Sequence, residues 1–144
     1  MATDRRSEVV WHGSLMDGSG TIESTTSGAI GTQAVSWPNR AEDSPSATSP
    51  EELIAAAHAA CFSMALSHAL AQAGTPPEEL RTSATVTFQP GQGITKIALT
   101  VEGEVPGIGE DAFRQAAEGA KANCPVSKAL EGNVEITLDA SLNG

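Results

Sequence analysis

Tyrosine is absent from this chain and aromatic residues make up only 3% of it, so a core must be assembled from Ala, Val, Ile and Leu. Positive charge is almost as scarce. Eight Lys and Arg face eighteen Asp and Glu, for a net charge of −10. That deficit excludes the cationic footprint that nucleic acid or an anionic membrane surface requires. A single cation, Arg40, stands between Arg6 and Arg81. No Gly-rich phosphate loop follows a strand and no Gly-x-Ser-x-Gly elbow occurs, so nucleotide use and serine hydrolysis have no support. There is no Cys-x-x-Cys or His-x-x-x-His spacing for a metal. Met1 to Arg6 carry no apolar segment of the kind a signal peptide needs, and small and polar residues interrupt every apolar run short of a membrane span. The expectation is a cytoplasmic protein with no membrane partner, whose two cysteines are reduced, catalytic or inert.

At 144 residues the chain fits one domain, 1–144. Its most organised stretch runs from Ser49 to Leu66. Ser49 and Glu52 form a capping-box pattern. Pro50 takes the first helical position, and Glu51 and Glu52 suit the positive end of the helix dipole. No further charge appears until Glu78. Apolar residues go nearly all the way round this helix, which therefore demands burial on all sides. Gly74 and Pro76-Pro77 end it.

Before it, residues 7–14, 21–26 and 33–37 read as a three-stranded antiparallel meander, with Asp17-Gly18-Ser19-Gly20 as turn chemistry. Pro38 to Ser49 reads as a polar loop, in which Arg40 has Glu42 and Asp43 as obvious partners. After the helix, Pro77 to Leu80 suits a short turn. Residues 81–88 and 94–104 alternate and are rich in β-branched residues, forming a second hairpin. Residues 111–123 carry Phe113, Ala116, Ala117 and Ala120 at helical spacing. Cys124-Pro125 interrupts, 125–130 gives another helical turn, and 134–142 a last strand. The fold class is α+β.

Cys61 lies mid-helix among alanines, which leave room for another group to approach. Cys124 precedes Pro125 at the start of a short helix, where a thiolate is favoured. Either cysteine also suits an inert core position. His58 shares a helical face with Cys61, and His68 lies near that face. They are candidates for a base beside the thiol or for a weak metal site, or are core histidines held by hydrogen bonds.

Residues 50–66, Pro-Glu-Glu-Leu-Ile-Ala-Ala-Ala-His-Ala-Ala-Cys-Phe-Ser-Met-Ala-Leu, together with Cys124-Pro125-Val126-Ser127-Lys128, closely resemble the signature of the OsmC/Ohr hydroperoxide reductases, in wording nearer the OsmC branch. Residues 94–99 and 105–108 extend the resemblance, which covers about 7 to 142. It implies an OsmC-like fold in an intertwined homodimer, with sites at the subunit interface. It also implies an antioxidant peroxidase that reduces organic hydroperoxides to alcohols without metal or other cofactor. By this resemblance Cys61 is the peroxidatic thiolate and becomes a sulfenic acid. Cys124 resolves it as a Cys61–Cys124 disulfide, which a dithiol such as a dihydrolipoyl protein reduces. Arg40 matches the loop arginine that activates the thiol, and Glu51 the glutamate that holds it. The chain departs from the family pattern at Ala47-Thr48-Ser49-Pro50 and at Ala41, next to the arginine. The competing expectation is a small-molecule-binding or structural member of the same fold with idle thiols.

Two physical points bear on that assignment. A thiol with an ordinary pKa of about 8.5 is mostly protonated at neutral pH, and Cys61, mid-helix, gains nothing from a helix N-terminus. It needs a cation. Glu51 and Cys61 lie about 15 Å apart along one helix axis. If both are catalytic, Arg40 and Glu51 come from the partner subunit, with two copies of the helix packed antiparallel.

Overall fold

The computed structural model describes residues 1–42 and 45–143. They cluster into two compact units, 1–53 and 54–144.

The first unit opens with β1 (Ser7–His12), β2 (Ser19–Thr25) and β3 (Gln33–Val35). These pair in the order β1-β2-β3, antiparallel throughout, as the alternation and turn residues imply. Every residue of β1 is exposed, Val9, Val10 and Trp11 included. The polar loop expected from Pro38 to Ser49 needs correction, because a short helix, α1 (Trp37–Ala41), occupies its start. The Oγ of Ser36 accepts the Asn39 amide hydrogen as an N-cap, and Pro38 has φ preset for the first turn. The cap was missed because Ser36 reads equally well as part of the short strand expected over 33–37. The Asn39 carboxamide oxygen accepts the amide hydrogens of Ser46 and Ala47, which ties the following segment to α1. Asp43 lies outside the described residues.

The helix α2 (Pro50–Gln72) begins where the capping pattern places it, with Ser49 Oγ accepting the Glu52 amide hydrogen at 3.1 Å. It is 23 residues long and its most apolar 18-residue window has a mean hydropathy of 1.5, long and apolar enough by length and composition to cross a membrane, so the expectation that no run approaches that length is corrected. Within one chain α2 is buried along a single stripe, His58, Phe62, Leu66 and Leu70, at four-residue intervals. Ala56, Ala60, Met64 and His68 form an exposed stripe, and Met64 is 72% accessible.

In the second unit, β4 (Glu79–Gln89) and β5 (Gly93–Glu104) form the expected hairpin. Its first residues overturn the expected turn at Pro77 to Leu80, since Glu79 and Leu80 already pair with Glu104 and Gly103. The last strand, β6 (Glu135–Leu142), runs parallel to β5 and leaves β5 central. A parallel pair needs a crossover. Here it is α3 (Glu110–Asn123) followed by α4 (Pro125–Leu130). The core joins Phe62, Leu66 and Leu70 of α2 to Leu99 and Val101 of β5 and to Phe113, Ala117 and Ala120 of α3. Small α3 residues let that helix lie close to the sheet.

Gly103 marks the closest approach. A Cβ there would sit 2.7 Å from two ring carbons of the fully buried Phe113 and 3.3 Å from Leu80 Cδ2. Gly103→Ala is expected to destabilise the protein by about 1–3 kcal/mol through overpacking. Urea unfolding measures it, and an unchanged midpoint would show that the ring has room to move.

Candidate active site

Pro125 sets the geometry of the site. A residue before proline is driven out of the helical region, and Cys124 accordingly has φ −61° and ψ 123°. It ends α3 and begins α4 at once, with its amide still bonded to the Ala120 carbonyl at 2.8 Å. This break places the Cys124 thiol, wholly buried, against the half-buried Cys61 of α2, close enough for each free thiol to shift the ionisation of the other.

The pair is electrostatically lopsided. Burial pushes the Cys61 thiol up, the hydrogen bond with Cys124 and the charge on that sulfur push it further, and the Val126 amide only partly offsets them. Burial also raises the Cys124 thiol. The Ser127 amide, the Cys61 thiol, the Ser127 hydroxyl and the Val126 amide more than reverse this, so Cys124 ends below its ordinary value. No cap hydrogen bond of regular geometry reaches the sulfur; the start of α4 acts on it through the proximity of several weak donors. Left to the groups of this unit, Cys124 is therefore the more readily ionised of the two thiols.

Beside the thiols, His58 is fully buried and its Nε2 lies 2.7 Å from Ser127 Oγ. Burial pushes its pKa down, which keeps the ring neutral. Of the alternatives for His58, the hydrogen-bonded core histidine is the one observed. His68 is exposed. Among the described residues no group of three or more His, Cys, Asp or Glu side chains is placed to hold a metal. Ser127 carried no expectation beyond its place in the motif. Its position one turn after Cys124 on α4 was the available signal.

Arg40 and Glu51 make the second pair, within the first unit. Arg40 Nε donates to both Glu51 carboxylate oxygens at 3.1 Å, and Arg40 Nη2 donates to Oε2 at 2.9 Å. This is a bidentate clamp, which fixes orientation as well as charge. Glu51 is 6% exposed, while Arg40 keeps 34% of its side chain accessible. The arginine thus pairs with the helix glutamate, and the two acids at the start of α2 divide their work. Glu52 contributes its amide to the cap and Glu51 orients the guanidinium.

A site of two apposed thiols on this α+β fold defines a thiol-based redox protein, and comparison with known proteins gives its family. The chain belongs to the OsmC family: residues 42–139 match the family model described as OsmC-like protein, a span that starts just after Arg40. It is 45% identical over 99% of both chains to peroxiredoxin OsmC of Escherichia coli. It is 32% identical to the organic hydroperoxide resistance protein OhrA of Bacillus subtilis, over 71% of this chain and 73% of that one. Among solved structures, an organic hydroperoxide resistance protein from Elizabethkingia anophelis matches with TM-score 0.72 and 25% identity, covering 99% of this chain and 100% of that one. The OsmC-like fold implied by the helix and Cys-Pro motifs is therefore the fold of this chain.

Proposed function

We propose that this protein is a thiol-dependent peroxidase that reduces organic hydroperoxides to alcohols, with Cys61 as attacking thiolate and Cys124 as resolving thiol. The observation that carries the reading is the Cys61–Cys124 thiol contact, in a chain 45% identical to a peroxiredoxin along its whole length. The Cys61 sulfur attacks the terminal peroxide oxygen, the O–O bond breaks, and the alkoxide leaves as the alcohol after taking up a proton. Cys61 is left as a sulfenic acid. Cys124 then attacks the Cys61 sulfur, an S–S bond replaces the S–O bond, and water departs. An external dithiol, of which a dihydrolipoyl protein is one kind, returns both thiols and is itself oxidised to a disulfide.

Arg40, held by Glu51, supplies the cation that Cys61 lacks. We place it on the Cys61 of a second copy, because Glu51 and Cys61 stand on one continuous helix about 15 Å apart along its axis. The homodimer has further support. The exposed stripe on α2 is apolar around Met64, and Val9, Val10, Trp11, Leu15, Met16 and Ile30 are exposed in the first unit. A three-stranded sheet with so little of its apolar surface covered has little stability of its own. A second copy would cover both surfaces and make 1–144 one continuous domain of a cytoplasmic dimer.

The test is one equivalent of cumene hydroperoxide added to the reduced protein, followed by thiol counting and non-reducing mass analysis. Both thiols are expected to disappear with the loss of two hydrogens, and the dithiol to restore them. A protein that keeps both thiols under excess organic peroxide would instead be a binding or structural member of the family.

A further inference from the structure

Beside the thiols lies a line of buried polar groups to which the peroxidase cycle as described gives no part. His58 Nε2 contacts the Oγ of Ser127, which is 4% exposed. The Ser127 hydroxyl in turn acts on the Cys124 sulfur, and Cys61 meets that sulfur from α2. At the far end, His58 Nδ1 is buried with no hydrogen-bond partner.

That orphan atom decides which way the line runs. A hydroxyl has one hydrogen to donate. Were Nε2 the bare nitrogen, Ser127 would donate to His58 and have nothing left for the sulfur, and Nδ1 would carry a buried N–H with no acceptor. Orphaned buried N–H groups are the rarest and among the costliest exceptions to hydrogen-bond pairing. With the hydrogen on Nε2 the conflict disappears. His58 donates to Ser127, Ser127 donates to Cys124, and Nδ1 holds only an unpaired lone pair. Burial keeps the ring neutral, so Nε2 remains a donor at neutral pH without adding a buried charge.

We propose that His58 is a positioning residue which, acting through Ser127, fixes the serine hydroxyl as a donor to the Cys124 sulfur and so prepares Cys124 to close the disulfide. The proposal rests on the two-thiol peroxidase reading. In the closing step the Cys124 thiolate attacks the Cys61 sulfenic sulfur. The S–S bond forms and the S–O bond breaks. The departing hydroxide takes up one proton, equivalent to the one Cys124 gave up, and leaves as water. The sulfenic sulfur is reduced as Cys124 is oxidised. A thiol is the best attacker when its pKa lies near the ambient pH, and the donor line moves Cys124 in that direction. Of the groups that act on this sulfur, Cys61 from α2 and Val126 and Ser127 from α4, only Cys61 is itself ionisable.

The experiment therefore removes Cys61 first. In Cys61→Ala, Cys124 is the sole thiol and its thiolate can be titrated by ultraviolet absorbance, which needs no reagent access. Adding Ser127→Ala or His58→Leu is expected to move the midpoint up by about one pH unit. The two together should move it no further than either alone, and His58→Gln, which keeps a side-chain N–H, should recover part of the shift. With Cys61 present, a single turnover with peroxide should show sulfenic acid forming no more slowly than in the wild-type protein and the disulfide closing about tenfold more slowly. A folded Ser127→Ala protein with an unmoved midpoint overturns the proposal. A midpoint that responds to Ser127 but is the same with His, Leu or Gln at 58 overturns the part played by His58. If His58→Leu fails to fold, Ser127→Ala and His58→Gln still decide the matter. Failure of Cys61 to form a sulfenic acid sinks the peroxidase reading, while the Cys124 titration stays readable by itself.

Discussion

Replacing Cys61 by serine is expected to lower hydroperoxide turnover by roughly a thousandfold or more, to the level of buffer, while Cys124→Ser leaves the first oxidation intact and stops the cycle after it. The asymmetry follows from the chemistry of each position. A serine hydroxyl at 61 is not ionised at neutral pH and is a poor nucleophile toward peroxide oxygen, so nothing replaces the lost thiolate. At 124 the missing thiol leaves a sulfenic acid at Cys61 with no buried partner. Dimedone should trap it in Cys124→Ser and should not trap it in the wild-type protein once the disulfide has closed. Coupled consumption of a dithiol measures the cycle. Equal turnover by Cys61→Ser and wild type would remove Cys61 from the chemistry, and dimedone labelling at Cys124 in Cys61→Ser would exchange the two roles. That second outcome is a real alternative within the isolated thiol pair, because its own donors favour the thiolate at Cys124. Only a cation at Cys61 reverses the order.

The fold was legible where the sequence carries strong local chemistry. Ser49, Pro50 and Glu52 announced the start of α2, and the capping bond is where they placed it. Alternation of β-branched residues marked β4 and β5, and Phe113, Ala117 and Ala120 marked the buried face of α3. Two features escaped because their signals are not local. The parallel pairing of β5 with β6 depends on a crossover, which no short window reveals. The helical turn at Trp37–Ala41 depends on a single serine cap in a segment whose composition suits a loop. The site divides in the same way. Residue type and motif singled out Cys61, Cys124, Arg40 and Glu51. The partnership of His58 with Ser127 joins residues far apart in sequence, and its meaning depends on an unpaired Nδ1 that only coordinates expose. The all-round apolar character of α2 reads differently with the structure in hand. One stripe faces the core of its own chain, and the other remains exposed around Met64, the surface that the proposed dimer would cover.

Arg40→Met is expected to slow the oxidation of Cys61 by about one hundredfold at neutral pH, with the loss shrinking as the pH rises. The sign follows from the direction of the Cys61 shift. Burial and Cys124 hold its pKa above the ordinary value, so the thiol is protonated at neutral pH unless a cation opposes them. A guanidinium nearby lowers the pKa and raises the thiolate fraction. Removing it sends the pKa back up, and the rate recovers only as the pH climbs through that higher value. A loss of two pH units in the rate profile corresponds to the hundredfold effect at constant nucleophilicity. Glu51→Gln should produce a smaller loss in the same direction, since it keeps the guanidinium but loosens its bidentate clamp. Subunit mixing then distinguishes where the arginine acts. Alone, Cys61→Ser chains are expected to be inactive and Arg40→Met chains to keep about one hundredth of the wild-type rate at neutral pH. In a mixed dimer of the co-expressed chains, the intact Cys61 of one chain would meet the intact Arg40 of the other only if the arginine crosses the interface. Activity should then return at one of the two sites. A mixed dimer no more active than its parents would place Arg40 on the Cys61 of its own chain and remove the reason for the antiparallel helix pair.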